Sequence, residues 1–342
     1  MSEKVTNILG YLTLFAILGA IWVLFGEDPT REQGARGERT FAGLEERINE
    51  VTFIELQQGV RSATITKENG GWHMKERGGY AVDLEKVRSM LRGAAFSVRR
   101  EPKTAKASRL PRLGLGADAV KVSLLDDTGG VIMSYDMGNR KAGPDGRSLT
   151  YIMQVRDTRA WLVTNLSETK IDPGWWLEQP LLALDPKRFS DVIIGGAWLT
   201  RKLGDNDFRL QGKRGHEVAA PAWQLAEPAR IVSGLTFSDV RALINPLSEA
   251  TSVTELSTYD GLSLKLSLYD FDGSVWVQLH AEFDVALQNE GKGGILPVAP
   301  VDGAAEAQAI MNAARGWVFK LSDADTAILR QKRTDFLAPA GP

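Results

Sequence analysis

The sequence predicts an α+β fold: an N-terminal transmembrane helix followed by two tandem homologous lobes of mainly antiparallel β-sheet with packed helices. Three observations predict it. An uncharged apolar run lies near the N-terminus, short alternating segments are separated by Gly, Asn and Asp turn signals, and several segments recur in the same order along the chain.

The first element is the run from Ile8 to Phe25, ILGYLTLFAILGAIWVLF, which carries no charged residue. At the helical rise it spans roughly 27 Å, close to the hydrocarbon thickness of a thin bilayer. Tyr11 and Trp22 lie towards its two ends, where amphipathic rings favour the interface. A cleaved signal peptide competes with this reading. Against it, the run is longer than a signal core, and bulky Trp22, Leu24 and Phe25 stand where a small-residue cleavage site belongs. Residues 1–26 are therefore expected to be an uncleaved anchor. Charge leaves its orientation open, with Lys4 on one side and Arg31, Arg36 and Arg39 on the other. Residues 27–44 are polar and aperiodic and read as a flexible tether.

In the body, Val51–Gln57, Ser62–Lys67 and Gly71–Lys75 read as a three-stranded meander, followed by a helix on which Leu84, Val87, Met90 and Leu91 recur at helical spacing. Val120–Leu125 and Val131–Met137 form a hairpin around Asp126-Asp127-Thr128-Gly129-Gly130, and Thr150–Val155 with Ala160–Thr164 form another. Leu262–Leu268 and Ser274–His280 repeat the hairpin pattern, and Ala304–Ala314 and Ser322–Phe336 read as helices. Four matches suggest duplication. Arg47–Val51 resembles Arg188–Val192. Gly93, Phe96 and Ser97 recur as Gly234, Phe237 and Ser238. Lys121–Asp126 resembles Lys265–Asp270, and Arg159–Leu162 resembles Arg315–Val318. The offset grows along the chain, consistent with a Gly/Pro-rich insertion from Glu290 to Gly303. These readings place a first repeat lobe at 45–185, a second at 186–338 and a tail at 339–342.

Composition narrows the chemistry. The 342 residues include 41 basic and 43 acidic ones, a balance without the electrostatic footprint of a nucleic-acid binder. There is no cysteine, so disulfides, thiolate nucleophiles and Cys-ligated metals are excluded. His73, His216 and His280 share no metal-ligand spacing, and no nucleophile elbow or phosphate loop is present. No catalytic residue, cofactor or metal is expected. Asp270-Phe271-Asp272-Gly273 and Asp126–Gly129 read as hairpin turns in preference to calcium loops. Two candidate contact sites stand out. Arg99, Arg100, Lys103, Lys106, Arg109 and Arg112 form the densest basic cluster, either a solvated loop or a surface for anionic lipid, envelope polymer or an acidic partner. Trp175 and Trp176 sit at the junction of the repeats, where they either pack the seam between lobes or anchor a partner. Trp161 and Trp317, at matching repeat positions, read as core.

Several of these stretches together resemble the DUF4340 family of uncharacterised bacterial membrane-anchored envelope proteins. They are Val51-Thr52-Phe53-Ile54-Glu55-Leu56, the Gly70-Gly71-Trp72 turn, the helix after Asp83, and Trp175-Trp176-Leu177-Glu178-Gln179-Pro180-Leu181-Leu182 with Asp185-Pro186 before Val192. The resemblance covers most of 45–338 and is a pattern of strands and turns with no catalytic signature. Phe208 stands where the pattern of the first copy has Trp72. The resemblance implies a single-pass protein of the bacterial inner membrane with its body on the periplasmic side. It also implies partners among ABC permease and ATPase subunits similar to the gliding-motility type, or related envelope proteins. The expected function is thus a non-catalytic accessory or scaffold subunit of an envelope complex. The alternative is a lipid- or polymer-binding module using the groove between the lobes. A hydrolase ranks third, since it needs a convergent carboxylate pair that the spacing does not reveal.

Overall fold

A computed structural model describes residues 36–143, 146–155, 157–243, 247, 249–287 and 302–339. The anchor expected over 8–25 and most of the insertion expected over 290–303 lie outside the described residues. Among the described residues no helix is long and apolar enough to cross a membrane.

The chain runs α1 (Leu44–Arg47), β1 (Phe53–Gln58), β2 (Arg61–Glu68), β3 (Gly71–Met74), β4 (Tyr80–Ala81), α2 (Leu84–Ala95), β5 (Arg99–Pro102), β6 (Val120–Leu125), β7 (Val131–Ala142), β8 (Ser148–Gln154) and β9 (Trp161–Thr164). It continues with α3 (Pro173–Trp176), β10 (Phe189–Ile194), β11 (Ala197–Thr200), β12 (Arg209–Leu210), α4 (Ala222–Ser233), β13 (Asp239–Ala242) and β14 (Ser252–Thr258). The last elements are β15 (Leu262–Phe271), β16 (Ser274–Phe283), α5 (Gly303–Ala314), β17 (Trp317–Lys320) and α6 (Asp323–Leu329). The fold is mixed α and β, with two large antiparallel sheets.

Two compact units result. One contains the described residues up to Glu68 together with Glu85–Ile171; the other contains Asn69–Leu84 together with the residues from Asp172 onward. The β3–β4 hairpin thus groups with the later part of the chain. There Tyr80 makes edge-on contacts with Phe237, Trp317 and Phe319, with ring centroids 5.6, 5.1 and 5.8 Å away. Burial, and secondarily the charge of Glu178, push the Tyr80 hydroxyl well above its ordinary pKa.

In the first unit the strands run β2-β1-β6-β7-β8-β9-β5; in the second, β12-β11-β10-β14-β15-β16-β17-β13. From β1 and from β10 the order is the same. A hairpin partner lies on one side and a three-strand meander on the other, and the strand that follows a twelve-residue helix closes on a late strand of the chain. This shared order equates β6 with β14, β7 with β15, β8 with β16 and β9 with β17.

The equivalence corrects two of the four sequence matches. Lys121–Asp126 lies on β6 whereas Lys265–Asp270 lies on β15, the counterpart of β7. Arg47–Val51 forms a helical turn and its exit, whereas Arg188–Val192 runs into strand β10. Amphipathic strands share one alternating pattern, so a short match between two of them does not fix which strands correspond. The other two matches sit at equivalent places. Phe96-Ser97 and Phe237-Ser238 precede β5 and β13, and Trp161 pairs with Pro102 as Trp317 pairs with Ala242.

Period-two burial builds both cores. Ile54 and Leu56 on β1, Val122 and Leu124 on β6, and Leu264, Leu266 and Leu268 on β15 point inward, with polar residues between them. Helix α2 buries Val87, Met90 and Ala94, while Leu84, expected on the apolar side, is exposed. Its Gly93 lies so near the chain after β9 that an added Cβ would fall 2.5 Å from the Asn165 carbonyl oxygen. The stretch 322–336, expected as one helix, is α6 followed by a separate 3₁₀ turn at Arg333–Phe336. The edge of β5 is covered by residues 37–40: Gly37 N–H donates to the Arg99 carbonyl at 2.9 Å, and Thr40 N–H to that of Ser97 at 2.8 Å.

Candidate functional site

The basic cluster divides into two groups. Arg99, on β5, is part-buried, pairs with Asp157 at 3.1 Å and lies over the Trp161 ring at 4.8 Å from its centroid. Lys103 is bonded to Glu101. That bond, reinforced by the charges of Lys103, Lys141 and Arg36 and opposed by partial burial, holds the Glu101 carboxyl below its ordinary pKa. Arg100, Lys106, Arg109 and Arg112 are exposed. Among the described residues none of these four forms an ion pair.

Lys106, Arg109 and Arg112 share a local geometry. Ala107–Leu113 is a 3₁₀ helix, with Arg109 N–H donating to the Lys106 carbonyl at 2.9 Å. Pro111 cannot donate to a longer helical ladder, and Gly114, at φ 71°, ends the element. With three residues per turn, side chains three apart eclipse. Leu110 and Leu113 therefore share one edge and pack on the cluster of Leu115, Ala119 and Ala160. Arg109 and Arg112 share another edge, one turn of about 6 Å apart, and Lys106 stands just before the first turn as its N-cap.

The tryptophans expected at the junction have unequal roles. Trp176 is fully buried and Trp175 half-buried, and their rings meet edge-on at 4.8 Å. Asp172 caps their short helix by accepting from Gly174 N–H at 3.2 Å. Trp161 is buried as expected, but its counterpart Trp317 is only half-buried.

Both acidic turns serve the backbone. Asp126 accepts from Thr128 Oγ1 and N–H and from Gly130 N–H at 2.7, 3.0 and 2.7 Å. These bonds, the Thr128 hydroxyl foremost, lower its pKa. Asp272 and Gly273, at φ 53° and 66°, form the two-residue loop between paired Phe271 and Ser274, a loop that demands positive φ at both positions. A cavity of ≈ 730 Å³ opens beside that loop, where Asp270 pairs with Arg330 and Asp272 with Arg241. Among the described residues no group of three or more His, Asp or Glu could hold a metal ion. His73 Nδ1 lies 3.0 Å from the Gly79 carbonyl oxygen, and His280 is exposed.

One feature escaped the sequence reading. Ile193 on β10 faces Trp198 on β11 in register, and Val253 lies on neighbouring β14. Their exposures are 48%, 52% and 37%. The signal was available: Val192-Ile193-Ile194 is an unbroken apolar run in a strand that elsewhere alternates, so one member must face outward. Trp198 is held by its indole N–H, which donates to Asp191 Oδ1 at 2.9 Å. It borders an open groove of ≈ 670 Å³ also lined by Ser190, Thr200, Arg201 and Tyr259. The arrangement offers aromatic and aliphatic surface with polar groups at its rim, which suits contact with another surface.

The family described as a domain of unknown function (DUF4340) matches residues 72–260, more than half of the chain. No curated protein and no solved structure matches the chain.

Proposed function

The chain belongs to the DUF4340 family, and from that premise we propose that it is a non-catalytic accessory or scaffold protein of a bacterial envelope complex. Residues 8–25 anchor it as a single span in the inner membrane, and its body lies on the periplasmic side. Its partners are the permease and ATPase subunits of an ABC-type transport system. The observation that carries the docking role is the exposed pair Ile193 and Trp198 in register on adjacent strands, with Val253 diagonal to Ile193 on β14, two residues from the facing Glu255. Exposed aromatic and β-branched side chains grouped on one sheet face mark protein-contact surfaces, and tryptophan is prominent among the residues that dominate binding energy.

Photo-crosslinking tests the assignment. With p-benzoylphenylalanine in place of Trp198, irradiation of intact cells is expected to give discrete adducts with a permease subunit, the component that reaches the periplasmic side. The same probe at fully exposed Val60 is expected to give none. Equal labelling from both positions, or no adduct from position 198, contradicts the docking face.

A further inference from the structure

We propose that the exposed edge Lys106–Arg109–Arg112, with neighbouring Arg100, is a docking surface for anionic phospholipid headgroups of the membrane that holds the anchor. The proposal rests on the anchored reading given above and adds a second, electrostatic attachment.

Four observations carry it. Of the six clustered cations, Arg99 and Lys103 are engaged by Asp157 and Glu101, whereas Arg100, Lys106, Arg109 and Arg112 are exposed and form no ion pair among the described residues. Next, the short helix is amphipathic with the period of a 3₁₀ element: Leu110 and Leu113 are anchored in a core cluster while Arg109 and Arg112 line another edge, with Lys106 at its N-terminal end. A row of cations held on a fixed backbone meets a plane of phosphates without first losing loop entropy. Third, Arg36 and Lys141 lie near Glu101 and act on its carboxyl together with Lys103, so the one acid of the stretch 99–112 is outweighed. The net charge of the chain is only −2, which leaves local patches, not the overall field, to orient it on an anionic surface.

The fourth observation selects the occupant. Gly37 N–H is bonded to the carbonyl of Arg99, within the basic cluster itself. Only residues 26–36 separate that point from the end of the apolar run at Phe25, which at full extension span about 40 Å. The tether thus enters the body beside its positive edge and keeps that edge within reach of the bilayer. A soluble polyanion or an acidic protein would gain nothing from that placement.

The absence of cysteine makes the test clean. A Ser108→Cys variant of the full chain, labelled with an environment-sensitive fluorophore, is reconstituted into nanodiscs. These are made of phosphatidylcholine alone or with about one-third phosphatidylglycerol, and each contains a headgroup spin-labelled quencher lipid. Ser108 is exposed on the same element. Quenching is expected in the anionic discs, with little in the neutral ones and loss at high salt. Each cation removed is expected to shift the docked-to-undocked ratio by about fivefold, so Lys106→Gln/Arg109→Gln/Arg112→Gln together should lower it about a hundredfold. Equal quenching in both lipids, or quenching unchanged in the triple variant, overturns the proposal while leaving the anchor intact. Failure of the chain to incorporate into neutral discs overturns the anchored reading and this proposal with it.

Discussion

Replacing Arg188 by methionine is expected to destabilise the second unit by about 3–5 kcal/mol, because it strands two carboxylates in a buried site. Arg188 Nη1 and Nη2 donate to Glu306 Oε1 and Oε2 at 2.8 and 2.6 Å, and its Nε donates to Asp260 Oδ2 at 3.0 Å. All three side chains are largely shielded from solvent. The hydrogen bonds to Glu306, then those to Asp260, raise the arginine's pKa further against the opposing effect of burial, so it stays charged throughout the folded range. The triad joins the start of β10, the turn after β14 and the first turn of α5. That first turn is capped by Asp302, which accepts from Ala305 N–H at 3.1 Å. Arg188→Met combined with Asp260→Asn and Glu306→Gln should recover part of the loss, since no uncompensated charge remains. Native-state hydrogen exchange reads both variants, with protection falling in β10, β14 and β15 while the strands of the first unit serve as an internal reference. A single variant as stable as the parent would show that the three charges are hydrated and contribute little.

The second large effect is expected from Trp161→Ala, at about 3–5 kcal/mol for a buried tryptophan. Its ring is nearly inaccessible on β9, and the Arg99 guanidinium covers it. The substitution therefore opens a cavity and removes the arginine's stacking partner together. Trp317→Ala, at the equivalent strand position, should cost clearly less because that ring is half-exposed and rests against Tyr80. Hydrogen exchange of β5, β8 and β9 for the first variant, and of β13 and β17 for the second, gives the comparison. Equal losses would mean that strand position, not burial, sets the cost.

The contrast between these two tryptophans shows what was legible beforehand. Alternation located β1, β2, β6, β7, β15 and β16 within a few residues, because a half-buried strand writes its two faces into the sequence directly. It does not say which strands correspond: Lys121–Asp126 on β6 matches β15, although the counterpart of β6 is β14. The short Ser252–Thr258 strand and the Pro-containing helix Ala222–Ser233 passed unread, the latter because Pro228 argues locally against a helix that tertiary packing sustains. The Arg188 triad was beyond reach of any local pattern, since its members lie 72 and 118 residues apart. At the candidate site the basic residues were visible as a cluster. Their division into engaged and exposed groups depends on ion pairing, in particular of Arg99 with Asp157, 58 residues away, which no local pattern announces. Trp198 went unnoticed because a tryptophan in a strand reads as core until its facing is known.

On the proposed function, this chain works by holding partners at the membrane. Affinity purification of the tagged full chain from detergent-solubilised native membranes, followed by mass spectrometry and quantitation, tests it most directly. Stoichiometric recovery of permease and ATPase subunits of an ABC-type system is the predicted result. Recovery of the protein without permease or ATPase subunits would contradict it.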